Sequence, residues 1–177
     1  MTATRRTESV LSDAFVTVSS PLGRIEIRSN GTAITGLTIE GTDGNAYGQL
    51  PHGGAPGHAD PLLATAVTQL TEYFAGDRRE FNLPVEMHGT AFQRDVWNVI
   101  AATPYGESAS YGDIAERIGR HGAGRAVGGA VGANPIPIII GCHRILASNA
   151  RITGYSGGSG IPTKKRLLAL EGISYAE

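Results

Sequence analysis

The chain has 177 residues, 41% of them hydrophobic and 18% charged, with a net charge of −1. That is enough apolar material for one domain or two small ones with a real core, while no apolar run approaches the roughly 20 residues of a membrane span. A single cysteine excludes an internal disulfide and a cysteine-rich zinc site, and the N-terminus lacks the apolar stretch of a signal peptide, so a cytoplasmic protein with no bound metal is expected.

Residues before about Asp13 show no periodicity. From Phe15 apolar residues alternate (Val16 and Val18, Ile25 and Ile27, then Ile34, Leu37 and Ile39), punctuated by Pro21-Leu22-Gly23 and Asn30-Gly31, which predicts a small antiparallel meander. The Gly-, Pro- and His-rich stretch 41–59 reads as an irregular loop whose His52 and His58 face solvent. Asp60-Pro61 caps and opens a helix that buries Leu63, Val67, Leu70 and Phe74 and stops at Gly76, and a last strand is expected near 81–85. Thr90 begins a second helix with Phe92, Val96, Val99 and Ile100 inward, and a second domain starts there.

Ser110 caps a short helix over 111–118, and a second over 123–133 ends at Asn134-Pro135, together a helix-turn-helix. The second carries Gly124, Gly128, Gly129 and Gly132. Each glycine costs about 1 kcal/mol against alanine in a helix, so either another helix or a nucleic-acid backbone must approach closely. The charge is divided in the same place. From Ser110 to Arg166 there are eight basic residues (Arg117, Arg120, Arg125, Arg144, Arg151, Lys164, Lys165, Arg166) against Asp113 and Glu116, 8 − 2 = +6, leaving −7 for the rest. Such asymmetry is the footprint of a polyanion-binding half.

Ile138-Ile139-Ile140 then reads as a short buried strand delivering Cys142. A lone cysteine is commonly a small buried hydrophobe, but His143 and Arg144 supply the neighbouring base and positive charge that lower a thiol pKa from about 8.5 and make a nucleophile. Thr153 to Gly158 is a glycine-rich loop able to wall a pocket with Tyr155 and Ser156, and Pro162 opens a last helix whose basic residues could meet phosphates.

Taken together, Phe92-Gln93-Arg94-Asp95-Val96-Trp97, Pro104-Tyr105-Gly106-Glu107, Ser110-Tyr111-Gly112-Asp113-Ile114-Ala115, Arg125-Ala126-Val127-Gly128, Asn134-Pro135-Ile136-Pro137, Cys142-His143-Arg144, Thr153 to Gly158 and Leu170-Glu171-Gly172 resemble the methylated-DNA–protein-cysteine methyltransferases, also called alkylguanine-DNA alkyltransferases. The resemblance covers the whole second half; the first agrees in pattern. It implies a mixed α/β (α+β) fold in which a small N-terminal antiparallel sheet with a helix (1–89) precedes a mostly helical domain (90–177) carrying the helix-turn-helix and the buried cysteine. It further implies a cofactor-free monomer that binds double-stranded DNA containing alkylated guanine, flips out 6-O-methylguanine, with 4-O-methylthymine a second candidate, and takes the alkyl group irreversibly onto its own cysteine.

Carried over residue by residue, the resemblance makes Cys142 the acceptor, His143 its base through a water, Glu171 the group orienting His143, and Asn134 the support of the turn. Arg125 would replace the flipped nucleotide, Tyr111 would crowd or protonate the base, and Ala126, Gly128 and Gly129 would lie in the minor groove. Tyr155 and Ser156 would line the base pocket, with the backbone of Cys142 and Ile145 reading the guanine edge. The chain departs from the family at Gly141, where the relatives carry proline. A non-catalytic lesion-binding protein and a thiol hydrolase using Cys142 and His143 are the competing readings.

Overall fold

The computed structural model describes residues 14–42, 48–53 and 60–177; His58 and the residues before Ala14 lie outside them. Strands β1 (Ala14–Ser20), β2 (Gly23–Ser29) and β3 (Ile34–Ile39) form the expected antiparallel meander, order β1-β2-β3. The alternation sets its register, pairing Val16 with Ile27 and Ile25 with Ile39, so that Ile25, Ile27, Ile34, Leu37 and Ile39 are all buried. The other side of β2 is closed by a polar contact. Glu26, fully buried, accepts from the backbone N–H of His52 (3.0 Å) and pairs with its Nδ1 (2.8 Å), while the imidazole stacks on Phe15 at 3.8 Å. His52 is exposed to solvent, as the sequence suggested, while its ring also rests on Phe15 and reaches Glu26. Instead of a fourth strand over 81–85 there is one parallel bridge, Ile34 to Val85.

Helix α1 (Pro61–Ala75) begins where expected. Asp60 accepts from Leu62 N–H (2.8 Å) and from the Ser29 hydroxyl (2.7 Å), tying the cap to the sheet, and Gly76 ends the helix with φ 83°. Its buried stripe is Leu63, Ala66, Leu70 and Tyr73, one residue round from the stripe that would have placed Phe74 innermost.

Helix α2 (Ala91–Ala101) opens with a capping box between Thr90 and Gln93, and α3 (Tyr111–Arg117) with another between Ser110 and Asp113. Two-residue strands β4 (Ala109–Ser110) and β5 (Ile145–Leu146) pair in parallel, and α4 (Gly124–Gly132) and α5 (Ile161–Glu171) complete the fold. Trp97 on α2 donates from Nε1 to Ala130 O (2.8 Å), which locks α4 against α2. The apolar core is continuous from Ile25 in the sheet, through Tyr73, Trp97 and Val127, to Leu167 in α5.

Candidate active site

The segment before Cys142 is not a strand. Ile138 adopts φ 73°, Ile140 N–H bonds to Ile136 O (2.9 Å), and residues Cys142–Arg144 form a single 3-10 turn. Side-chain bonding overrides the β-branched preference here. Asn134 accepts from Ile136 N–H at one end of the turn (3.0 Å) and donates to Ile140 O at the other (2.8 Å), while Ile136, Ile138 and Ile140 fill the core. The sequence placed the thiol correctly and the wrong structure beneath it.

Cys142 is 3% exposed and lies on the wall of a cleft of about 960 Å³, together with Tyr111, Arg125, Gly128, Tyr155 and Lys164. One side of the cleft is the glycine face of α4. A Cβ at Gly124, Gly129 or Gly132 would meet nothing within 4 Å, and one at Gly128 would stand 3.8 Å from the Tyr111 ring. Close helix packing does not explain these glycines; they keep an exposed face thin. The opposite side is the 153–156 loop. Tyr111 Oη shares a hydrogen bond with Thr153 Oγ1 (3.1 Å), and Ser156 Oγ donates to Gly132 O (2.8 Å), so the loop is stitched to α3 and α4 across the thiol.

Behind the thiol is a buried ionic cluster. His143, wholly inaccessible, bonds through Nε2 to Glu171 Oε1 (2.7 Å), and Arg144 grips the same carboxylate with Nε (2.8 Å) and Nη2 (2.9 Å) while Nη1 donates to Thr103 O (2.7 Å). Burial works to raise the Glu171 pKa, yet the bonds from His143 and Arg144 outweigh it and hold the carboxyl far below the ordinary range. A carboxylate only accepts, so His143 Nε2 carries the hydrogen and Nδ1 keeps a lone pair, buried without a bonding partner among the described residues. Burial lowers the His143 pKa more than Glu171 raises it, leaving the imidazole neutral. The Cys142 thiol is pushed up by burial, against which Asn134, the Lys164 charge and the Tyr155 hydroxyl act in the opposite sense. At rest the pair is a thiol beside a neutral base.

Residues 15–87 match the family described as 6-O-methylguanine DNA methyltransferase, ribonuclease-like domain, and residues 91–173 match its DNA binding domain. The methylated-DNA–protein-cysteine methyltransferase of Mycobacterium tuberculosis is 42% identical over 159 residues, 89% of this chain and 91% of that protein. The constitutive enzyme of Bacillus subtilis is 41% identical over 163 residues, 92% of this chain and 98% of its own length. The chain belongs to this methyltransferase family. Among solved structures, M. tuberculosis OGT in complex with DNA superposes with a TM-score of 0.75 at 40% identity (89% of this chain, 91% of that one), and the M. tuberculosis O6-methylguanine methyltransferase with 0.78 at 38% (94% and 97%).

Within the family frame, the geometry brings Cys142, Tyr111, Arg125, Gly128, Gly129, Tyr155 and Ser156 to one cleft and sets His143, Glu171 and Asn134 directly behind it. Arg125, Ala126 and Gly129 are exposed on α4. Ile145 differs: it is fully buried, its N–H bonds to Cys142 O, and its carbonyl accepts from Lys164 Nζ, so both backbone groups are engaged. Two of the eight basic residues are not surface charges. Arg144 serves Glu171 instead of the thiol, and Lys164, 1% exposed, points inward to Ile145 O and Gly154 O (3.3 Å) and does not reach toward phosphates. Sequence reasoning also missed Tyr73, whose hydroxyl donates to Glu171 Oε1 at 2.7 Å. A tyrosine on the inner face of an amphipathic helix was the available signal, since a buried phenol needs a partner. Among the described residues no group of three His, Cys, Asp or Glu side chains stands together to hold a metal ion, and no helix is long and apolar enough to cross a membrane.

Proposed function

We propose that this protein repairs DNA by direct reversal, moving the alkyl group of 6-O-alkylguanine irreversibly onto Cys142. The observation that carries the reading is a buried thiol with a neutral imidazole behind it, on the wall of a cleft whose other side is a thin, exposed, glycine-faced helix. A thiol in that position cannot reach a base inside a duplex, so the nucleotide must rotate into the cleft, at a cost of a few kcal/mol. Arg125 fills the gap in the stack, and contacts from α4 to the backbone offset the cost without reading sequence, as damage recognition requires.

With the base between Tyr155 and Tyr111, the Cys142 proton passes through a water to His143 Nδ1, and Glu171 stabilises the imidazolium. The sulfur attacks the alkyl carbon, the S–C bond forms as the C–O6 bond breaks, and the electron pair left on guanine takes up a proton, with Tyr111 placed to assist. The thioether has no means of release, so each chain acts once. Edge recognition by Cys142 and Ile145 uses the second lone pair of Cys142 O and requires the Ile145 N–H to be shared. All these groups come from one chain, so a monomer suffices. A lone thiol acting on DNA fits the reducing cytoplasm.

Duplex DNA with a labelled methyl on guanine O6 tests the reading. Label appears on the wild-type protein at one per chain and not on Cys142→Ala, which still binds the duplex within a few-fold. A mutant that demethylates, or a wild type that binds without taking label, overturns it.

A further inference from the structure

The catalytic half does not complete its own carboxylate. Glu171 Oε1 receives three donors: His143 Nε2 at 2.7 Å, Arg144 Nη2 at 2.9 Å, and the hydroxyl of Tyr73 at 2.7 Å. Oε2 takes Arg144 Nε (2.8 Å) and the Gly106 N–H (3.3 Å). Tyr73 comes from α1, 98 residues away in sequence and part of the sheet-bearing half. Its ring is fully buried, edge-on to Phe74 (5.4 Å) and Tyr105 (6.1 Å), with Phe81 at 5.3 Å, so the hydroxyl has one direction to point. Burial and the Glu171 charge raise the phenol pKa, which keeps the group a donor at every working pH.

We propose that Tyr73 is a positioning residue for alkyl transfer, through which the N-terminal half sets the basicity of His143. The inference rests on the repair reading and adds to it a role for α1, none of whose residues lines the cleft that holds Cys142. The physics is a competition for one oxygen. A neutral donor on Oε1 draws negative charge away from the bond to His143 Nε2–H, so Glu171 stabilises the imidazolium less than a carboxylate free of that donor would. The other ionisable groups facing His143 are Arg144 beside it and Lys164 from α5, both of which oppose its protonation, and Glu171, which favours it. Tyr73 tempers the single favourable partner. It also fixes the carboxylate, since without it Oε1 is held only by groups from the 3-10 turn that it is meant to orient.

The sign follows. Removing the hydroxyl raises the His143 pKa, and the imidazole is then already protonated, and unable to take the thiol proton, up to a higher pH. Single-turnover transfer from methylated duplex is measured from pH 5 to 9 on the full-length wild type, Tyr73→Phe and Tyr73→Met, with the His143 imidazole followed by NMR over the same range. The expected result is an acid limb and a His143 titration displaced upward together, by about half to one pH unit, in both variants. A rate that falls by the same factor at every pH, with the His143 titration unmoved, would show a structural role only and overturn the proposal, as would a downward shift. The NMR titration does not depend on alkyl transfer, so failure of the repair reading and failure of the Tyr73 role are told apart. Two apolar replacements of different shape separate loss of the hydroxyl from loss of the ring should one variant fold poorly.

Discussion

Gly141 shows how one position can satisfy a backbone rule and fail a packing rule. Its φ of −72° is what proline supplies, so a family proline is no surprise, and from the sequence a Gly141→Pro change should gain about 0.4–1 kcal/mol through a less disordered unfolded chain. The structure reverses that expectation. A Cβ here would stand 2.9 Å from Arg144 Cζ and Nε, and that guanidinium is pinned by Glu171 and Thr103, so it cannot swing aside freely. Overpacking of this kind costs roughly 1–3 kcal/mol. Gly141→Pro is therefore expected to lose about 1–2 kcal/mol net in denaturant unfolding and to slow transfer by disturbing the Arg144–Glu171–His143 cluster. An unchanged midpoint and rate would show that Arg144 can shift without consequence.

At the scale of elements, the sequence was most legible where local chemistry decides alone. The meander, the caps at Asp60, Thr90 and Ser110, and the stop at Gly76 all follow from residues within a turn of each other. It was least legible where distant groups decide. Three isoleucines in a row favour a strand, but Asn134 closes them into a turn, and of the three basic residues on α5 that looked like phosphate contacts Lys164 is buried, while Lys165 and Arg166 stay exposed. The inward Lys164 has a measurable signature. Burial lowers its pKa to about 8, so between there and the unfolded value of about 10.4 the unfolded chain holds a proton that the folded chain has released. Stability from this group is absent below about pH 8 and grows as pH rises through that window. In a Cys142→Ala background, where the thiol no longer titrates, the unfolding free energy of the parent should gain on that of Lys164→Met between pH 8 and 10.4; parallel curves would place the ammonium in water.

Over the whole molecule, the core that runs from β2 to α5 and the Tyr73–Glu171 bond make the two halves one structure even though they match the family in two pieces. Unfolding is expected to be a single transition with equal calorimetric and van't Hoff enthalpies. Two resolved transitions would show that the halves melt independently and that α1 holds Glu171 only loosely.

The glycine face of α4 sets stability and repair against each other. Nothing stands within 4 Å of a Cβ added at Gly129 or Gly132, so in the free protein alanine fits and should stabilise the helix by about 0.5–1 kcal/mol. The same methyl group would project from the surface proposed to lie against DNA. Gly129→Ala is expected to raise the melting temperature and lower the transfer rate on duplex; a variant that gains in both would show that DNA passes elsewhere. Selection for heat resistance alone would accumulate alanines along this helix, and each one retained would leave a sturdier protein that mends less.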